Sequence, residues 1–391
     1  MDDLAHLLVE AKNVPLSAVP IFFDLSKETD AEKLSALFTT GAIRRLSDDY
    51  REAQLELFGV NNPSRVYTPD FKNEFNTYYE GLGDIVKHGM WVYFPWISTL
   101  THILTRDDFF AVRTARNKNL ITKEEQEKFY NASIGIAGLS VGSSVAFAIA
   151  LQGGGGHLKL ADMDHLALSN TNRVLAGTPD LGQLKVDVAA RRIYEINPYA
   201  HIETFAEGIH KENIGAFFDG LDIIIDELDN LSVKYLIREE AKKHGIAVVM
   251  AADNGDNAVV DVERYDLDAN TPFFQGRLGT VTYEELASLD KFGIGKTITK
   301  HIGPENVTVR MQESLLEMGK TIVSWPQLGG AALINGAAVA YCVRRILNGQ
   351  SIEGNRALIS LDERLIPEYQ TDAEQLKRRN AAESFRKIFG L

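Results

Sequence analysis

The side chains best suited to chemistry lie between Ile134 and Lys185. This segment begins IGIAGLSVGSSVAFAIA, continues LKLADMDHLALSNTNR and ends GQLKVDVA. An apolar run, a glycine-rich turn and a second apolar run ending in Asp162 are typical of a nucleotide site. Asn170 and Arg173, together with the lysine, add amide and cationic groups where a triphosphate would lie. We therefore predict that the nucleotide is ATP and that it is consumed rather than only held.

The turn GLSVGS is the candidate cradle for the nucleotide. Gly138 directly follows the first apolar run, Gly142 starts the next helix, and Ser140 stands where a middle glycine is usual. The first glycine permits a tight turn, and we expect the second to let the backbone approach phosphate or ribose. The free N–H groups of the helix start would face the anion.

Acidic and basic residues follow at positions that suit a nucleotide. Asp162 lies 24 residues after Gly138, where a carboxylate commonly accepts hydrogen bonds from ribose, although a turn aspartate is the alternative. Arg173 and Lys185 would neutralise charge on a phosphoryl group. Taken singly, each of these two cations is more often a surface residue. Because they occur together with Asn170 on the same loop, we favour the interpretation that they bind phosphate.

The segment IIIDELDN, residues 223–230, places Asp226 and Asp229 just beyond a buried strand. Carboxylates at the end of a strand beside a triphosphate suit Mg²⁺, which binds through one or two carboxylates and keeps several waters. We therefore predict that both residues belong to the site. The alternative for Asp226 is that it caps the helix beginning near Leu231.

Strands and helices alternate through the middle of the chain. The pattern predicts strands at 133–137, 158–161, 201–205, 222–226 and 247–251, with helices at 141–151, 185–196 and 233–244. This alternation predicts an α/β fold, a Rossmann-like and mostly parallel sheet with helices on both faces. Sites in such sheets lie at the carboxyl ends of the strands.

The flanking regions differ from this core. Residues 1–110 form a predicted accessory region, α/β or helical, whose prolines break it into short elements. The nucleotide domain is expected over 111–350, where 329–347 reads as a small-residue helix packed tightly against a neighbour. A C-terminal strand and a polar helical tail are expected over 351–391.

Composition excludes several classes of function. The chain has 391 residues, a net charge of -13 and one cysteine. The negative charge argues against a nucleic-acid surface, and the single cysteine argues against an internal disulfide or a cysteine-rich zinc site. The acidic N-terminus lacks the features of a signal peptide, and we find no uncharged apolar run of membrane-spanning length. We predict a cytoplasmic protein with no membrane partner.

Several ordered motifs carry a family resemblance. ADMDHLALSNTNR, GQLKVDVA and DELDN resemble the D-x-D…L-S-N-x-x-R, G-x-x-K and D-x-x-D-N motifs of the ThiF/MoeB family. That family belongs to the ubiquitin-activating-enzyme superfamily. The resemblance covers about residues 113–265, and 326–347 fits it as well.

The resemblance implies an activity and a site. Family members adenylate a carboxylate, usually the C-terminus of a small protein or peptide, with ATP–Mg²⁺, and they release pyrophosphate. For this chain a small acid stays open as a third kind of substrate. It implies that Asp162 binds ribose and that Asp229 holds Mg²⁺. It assigns phosphate contacts to Asn170, Arg173 and Lys185. In VRTARN, Arg116 matches an arginine that reaches into the partner subunit's site, which implies a homodimer.

The chain also departs from the family pattern. Val174 stands where many relatives have glutamine, and Cys342 lies in the apolar run AAVAYCVRR, where a buried side chain is the simplest interpretation. A catalytic cysteine and a zinc site are therefore not expected. Two alternatives remain open. An NAD(P)-dependent oxidoreductase would explain the glycines and Asp162 only, and a non-catalytic nucleotide-binding relative would explain Ser140 and Val174.

Overall fold

The computed structural model describes residues 17–352 and 354–391, which divide into two units. The first unit comprises residues 17–122 with 194–199. The second comprises 123–193 with 200–391. We describe each unit by itself.

The described residues of the first unit form a small sheet and four α-helices. Its strands are β1 (Ile21–Phe23), β2 (Arg45–Asp48), β3 (Met90–Phe94) and β4 (Thr99–Ile103), and its helices are α1 (Glu28–Thr39), α2 (Tyr50–Asn61), α3 (Phe71–Gly81) and α4 (Arg106–Thr114). The strand order is β1-β3-β4-β2, in which only β2 and β4 pair in parallel. The accessory region is therefore α/β.

Aromatic side chains build the core of this unit. Trp91 and Tyr93 on β3 are buried with Phe23 and Leu34. The His102 ring on β4 stacks between Tyr50 and Trp91, with ring centroids at 3.9 and 4.2 Å. The aromatic residues near position 90 thus serve packing, as their apolar character indicates.

The second unit is built on a seven-stranded sheet. Its strands are β5 (Ser133–Ala137), β6 (His157–Ala161), β7 (His201–Phe205), β8 (Ile223–Asp226), β9 (Ala247–Asn254), β10 (Asn257–Glu263) and β11 (Arg356–Ile359). The order is β11-β10-β9-β8-β5-β6-β7. The five strands from β9 to β7 pair in parallel, and β10 and β11 extend one edge in antiparallel fashion. The predicted mostly parallel α/β sheet is confirmed.

Helices surround this sheet. They are α5 (Lys123–Asn131), α6 (Val141–Leu151), α7 (Lys185–Ile196), α8 (Ile214–Phe218), α9 (Leu231–His244), α10 (Tyr283–Ala287), α11 (Lys291–Ile302), α12 (Val309–Leu316), α13 (Gly329–Leu347), α14 (Leu361–Leu365) and α15 (Asp372–Phe389). The central strands read as continuous apolar runs, because parallel strands covered on both faces have no solvent side. Ile223 to Ile225 on β8 are accordingly fully buried.

The long helix α13 lies against α6 and β9. Gly336 permits this approach, because a Cβ atom there would lie 2.6 Å from the Ser144 carbonyl oxygen. The prediction of a tightly packed small-residue helix is confirmed. By length and composition alone the helix could cross a membrane, but its buried face, which includes Asn335, belongs to the core of this unit.

The C-terminal segment is more than a polar tail. β11 joins the sheet beside β10. Helix α15 buries Phe385 and Phe389 in a cluster with Ile302, Met311 and Leu315. The sequence predicts only a polar helical tail. In the structure these two aromatic residues anchor the helix to the second unit.

Candidate active site

The glycine-rich turn connects β5 to α6. Gly138 has φ +87°, and a Cβ atom there would lie 2.5 Å from the Glu227 carbonyl oxygen, so glycine is required. A Cβ atom at Gly142 would lie 3.2 Å from Ile136 Cγ2 and 3.5 Å from Glu227 Cβ. The geometry therefore explains Gly142 by close packing of helix on strand rather than by approach to a ligand.

Asp162 ties the end of β6 to this turn. Its Oδ2 accepts a hydrogen bond from the Leu139 N–H at 2.7 Å, and its Oδ1 accepts one from the Asp164 N–H at 2.8 Å. The residue is buried. Burial raises the pKa of its carboxyl, and nearby Lys185 opposes that shift. Asp162 thus stabilises the turn through two backbone hydrogen bonds, and its contact with ribose stays a prediction.

Lys185 is the first residue of α7 and is also buried. Its Nζ lies 2.8 Å from an Asp164 carboxylate oxygen and 3.8 Å from Asp162 Oδ2. Two carboxylates thus hold the ammonium group beside the turn. A buried cation with exposed Asp164 as its nearest partner can exchange that partner for a phosphate.

Arg173 lies over the same turn. Its Nε donates to Ser140 Oγ at 2.9 Å, and its Nη1 donates to Asn172 Oδ1 at 2.9 Å. Partial burial lowers the pKa of the guanidinium, while the charges of Asp253 and Asp229 act in the opposite direction. An arginine remains charged under such shifts, so the site keeps a fixed cation. Ser140 therefore positions this arginine.

Asn170 closes the short turn Leu168–Asn170. Its Oδ1 accepts a hydrogen bond from the Ala167 N–H at 3.0 Å. The amide oxygen is thus used within the loop, and an anion would meet the amide nitrogen. This arrangement suits a phosphate contact, because only the nitrogen can donate.

The two acidic residues after β8 have different environments. Asp229 is exposed beyond the strand end, whereas Asp226 is fully buried. Asp226 accepts hydrogen bonds from Arg238 Nη1 at 2.6 Å and from Lys234 Nζ at 3.1 Å. Burial alone would raise the pKa of Asp226, but these two cations outweigh it and lower that pKa.

This environment corrects the sequence interpretation of Asp226. Both carboxylate oxygens are engaged inside the unit, so we remove Asp226 from the nucleotide-binding set. Asp226 is not the helix cap either. Asn230 caps α9, because its side chain accepts hydrogen bonds from the Ser232 and Val233 N–H groups. Arg238 Nη2 also forms an ion pair with Glu263 Oε2 at 2.7 Å, so Asp226, Arg238 and Glu263 belong to one buried ionic network.

Asp253 is a site residue that the sequence interpretation missed. It lies near the end of β9 and is 6% exposed. Burial raises the pKa of its carboxyl to about 6; Gln327, Asn335 and Arg173 oppose the shift, and Asp229 adds to it. The available signal was an acidic residue ending an apolar strand, the same signal that pointed to Asp162.

A segment far along the chain completes this side of the site. Asn335 Nδ2 donates to Asp253 Oδ1 at 2.5 Å, and Gln327 Nε2 donates to Asp253 Oδ2 at 3.2 Å. The Gln327 carbonyl accepts a hydrogen bond from Asn172 Nδ2 at 2.9 Å. Gly329 follows, where a Cβ atom would lie 2.3 Å from the Asn172 carbonyl oxygen. The start of α13 therefore lies against the loop that carries Arg173.

Strand order explains why these residues gather. The parallel strands run in the order β7-β6-β5-β8-β9, so the direction of winding reverses between β5 and β8. Ligands in open α/β sheets bind at the carboxyl ends of strands beside such a reversal. Gly138 follows β5, Asp162 follows β6, Asp229 follows β8 and Asp253 lies near the end of β9.

Arg116 lies in the first unit. It is exposed on the short turn Ala115–Asn117. Its role in a partner subunit's site stays a prediction.

Comparison with known proteins gives a family match for part of the chain. Residues 114–273 match the ThiF family. The matched segment includes every strand from β5 to β10. The chain carries a ThiF family domain. The motifs that predicted it lie within the matched residues. The strand order and the glycine turn described above are therefore the frame of a ThiF domain.

Three relatives extend this comparison. An uncharacterized protein of Mycobacterium tuberculosis, MT1398, is 38% identical over 69% of this chain and 38% of its own length. The tRNA threonylcarbamoyladenosine dehydratase of Bacillus subtilis is 35% identical over 34% of this chain and 54% of its own length. The sulfur carrier protein adenylyltransferase of Thermus thermophilus is 28% identical over 33% of this chain and 48% of its own length. The chain thus spans about half or less of each relative.

The second unit contains carboxylates suited to a metal and a thiol that burial makes poorly reactive. Asp229 is exposed and Asp253 lies near enough to interact with it electrostatically, a donor set that suits Mg²⁺ with waters and phosphates completing its shell. Among residues 17–352 and 354–391, no group of three or more His, Cys, Asp or Glu side chains could hold a metal. Burial raises the pKa of Cys342 to about 11.

Proposed function

We propose that the ThiF domain binds ATP with Mg²⁺ and adenylates a substrate carboxylate, with release of pyrophosphate. The observation that carries this proposal is the placement of Arg173. Its guanidinium is held by Ser140 on the glycine turn and interacts with Asp229 and Asp253 across the site. A cation anchored on the nucleotide turn and facing metal-type carboxylates is suited to a triphosphate.

The chemistry needs positioning more than proton transfer. An oxygen of the substrate carboxylate attacks the α-phosphorus of ATP, and the bond to pyrophosphate breaks. Lys185, Arg173 and the amide nitrogen of Asn170 would hold the phosphates and balance the negative charge of the leaving group. Asp162 would accept hydrogen bonds from ribose. Asp229 would hold Mg²⁺, which supplies further charge neutralisation when bound.

The relatives support this reaction without identifying the substrate. One is named as an adenylyltransferase that acts on a sulfur carrier protein. We extend only the reaction class to this chain, with a peptide, a small protein or a small acid as the carboxylate donor. The substrate class is therefore open among these three.

We further propose that no cysteine takes part. Cys342 is the single cysteine of the chain and lies partly buried in α13. A thiol with a pKa near 11 carries little thiolate at neutral pH, and the thiolate is the nucleophile. The adenylate would therefore pass to an external nucleophile or be attacked within the substrate.

The same proposal includes a homodimer in the cytoplasm. Arg116 would reach the triphosphate of the partner subunit, so each site would draw on two chains. The exposure of Arg116 on its turn is compatible with such a reach.

Nucleotide preference tests the proposal directly. We expect calorimetry with Mg²⁺ present to show tighter binding of ATP than of AMP or NAD⁺, because Arg173 and Lys185 act on phosphates beyond the first. Equal or tighter binding of NAD⁺ would favour an oxidoreductase instead. Exchange of labelled pyrophosphate into ATP with candidate carboxylates then separates an active enzyme from a non-catalytic relative.

A further inference from the structure

The first unit contains a cavity of about 600 Å³. It lies among α2, α4 and the paired strands β2 and β4. Ser47 and Thr101, which pair across those two strands, contribute polar groups. The volume falls in the range of cavities that bind small organic ligands. Its lining shares no residue with the nucleotide site, so a ligand bound there is independent of the proposed adenylation.

One wall of the cavity is acidic. Asp49, Glu52 and Glu56 line it; Asp49 is the N-cap of α2, and Glu52 and Glu56 follow it at three- and four-residue spacing. This spacing places the three carboxylates on one helix face. In the described part of the chain no ion pair reaches Asp49 or Glu56, and Glu52 has only exposed Arg51 at 3.6 Å.

Helix stability explains only part of this wall. Acidic groups at Asp49 and Glu52 lie at the start of α2, where the helix dipole favours negative charge. Glu56 lies a full turn further, where that benefit is small and Glu52 repels it across the i,i+4 spacing. A cation between the carboxylates would remove this repulsion.

The opposite wall is apolar with one cation. Ile103, Leu104, Phe109 and Val112 supply aliphatic and aromatic surface, and Arg113 on α4 adds a guanidinium. The lining therefore carries three carboxylates and one cation among the side chains described. Asp49, Glu52 and Glu56 are exposed at the rim of the cavity, so they would repel an anion, and a neutral ligand would gain no attraction from them.

We propose that this cavity binds an organic cation, an ammonium or guanidinium group carried on an apolar stem. The charged end would lie against Glu52 and Glu56, and the stem would lie against Phe109 and Val112. A bare metal ion does not account for the apolar wall or the volume. The same chemistry is offered by a free amine and by a lysine or arginine side chain of a peptide.

The test uses the full chain without ATP. Isothermal titration with butylguanidinium measures the shared chemistry, with pentanol as a neutral control and hexanoate as an anionic control. We expect the cation to bind, the two controls to fail, and the affinity to fall as salt rises. Absence of cation binding at about 1 mM, or equal binding of pentanol, overturns the proposal.

Variants locate the binding. Glu52→Gln with Glu56→Gln should weaken butylguanidinium at least tenfold, while the matched pair Glu32→Gln with Glu80→Gln, exposed carboxylates of α1 and α3, should leave it unchanged. Ala53→Met should fill the cavity and abolish binding without changing charge, with Ala36→Met as its control. Equal loss in a test variant and its control, or no loss in either test variant, overturns the assignment to this cavity. Thermal unfolding identifies any misfolded variant, and the other test variant then decides.

A second titration identifies the source of the cation. Acetyl-Phe-Arg-Phe-amide offers the guanidinium within a peptide. Tighter binding of this peptide than of butylguanidinium assigns the cavity to a peptide segment, and the reverse order assigns it to a free amine. Either order supports the shared chemistry, and failure of both cations to bind refutes it.

Discussion

Asp253 and Asn335 are joined by a hydrogen bond of 2.5 Å between Nδ2 and Oδ1, although 82 residues separate them. Both side chains are buried, and the bond links the end of β9 to helix α13. It holds a carboxylate beside Arg173 and Asp229, and thereby connects the packing of a distant helix to the candidate nucleotide site.

The raised pKa of Asp253 predicts a pH-dependent stability. Its folded pKa of about 6 lies above the ordinary 3.8, so the folded state binds the proton more tightly. This stabilising contribution is full below about pH 4 and is lost as pH rises through 6. The loss amounts to about 3 kcal/mol at most. We expect Asp253→Asn to be more stable than the parent chain at pH 8 by about 1–2 kcal/mol, and to lose that advantage near pH 4.

Urea unfolding at several pH values measures this difference. Asp256→Asn, at an exposed neighbouring position, is the matched control and should show no such trend. A constant difference between parent and Asp253→Asn from pH 4 to pH 8 would contradict the raised pKa.

Asp229→Ala should lose Mg²⁺-dependent turnover and keep its fold. The side chain is exposed after β8, so its removal should change stability by less than about 0.5 kcal/mol. We would measure Mg²⁺ affinity in the presence of ATP, pyrophosphate exchange and thermal unfolding. Asp256→Ala is the control, and normal turnover by Asp229→Ala would remove Asp229 from the metal site.

Asp226→Asn should show the opposite pattern. Lys234 and Arg238 would lose the Asp226 counter-charge, which leaves Glu263 as the remaining acidic partner of Arg238, and breaking a buried ion pair by removing one partner costs about 3–5 kcal/mol. We expect a large drop in unfolding free energy. Where the variant remains folded, ATP affinity should stay near that of the parent. A stable variant with lost ATP binding would restore Asp226 to the nucleotide site.

Cys342→Ala should leave activity unchanged. The side chain is a partly buried small group, so its loss should cost at most about 1 kcal/mol. Pyrophosphate exchange and thermal unfolding check both parts. Inactivity of the folded variant, or a thiol-sensitive adduct on Cys342, would revive a thioester mechanism.

Mixed subunits test the shared site. Arg116→Ala and Lys185→Ala should each be inactive alone. In a mixed dimer one site would carry both changes and the other neither, so a random mixture should recover about a quarter of parental activity. Pyrophosphate release before and after subunit exchange measures this recovery. A mixture no more active than its parents would show that Arg116 does not act across the dimer.

The sequence by itself determined the frame of the second unit. Alternating apolar runs fixed β5, α6, β6 and α7, because strands buried on both faces and helices that cover them leave a periodic pattern in the chain. The spacing of Gly138, Asp162, Arg173 and Lys185 predicts a nucleotide site on that frame, and this assignment stays a prediction.

Tertiary structure alone decided which carboxylates face that site. Asp226 and Asp229 are three residues apart at one strand end, yet long-range ion pairs from Lys234 and Arg238 hold the first inside the unit. Asp253 accepts hydrogen bonds from Gln327 and Asn335. Both donors lie far from Asp253 along the chain, so no local sequence pattern predicts these contacts. Sequence periodicity reports neighbours along a helix or strand. The burial and partners of a charge depend on which distant elements pack together, and only the folded chain determines them.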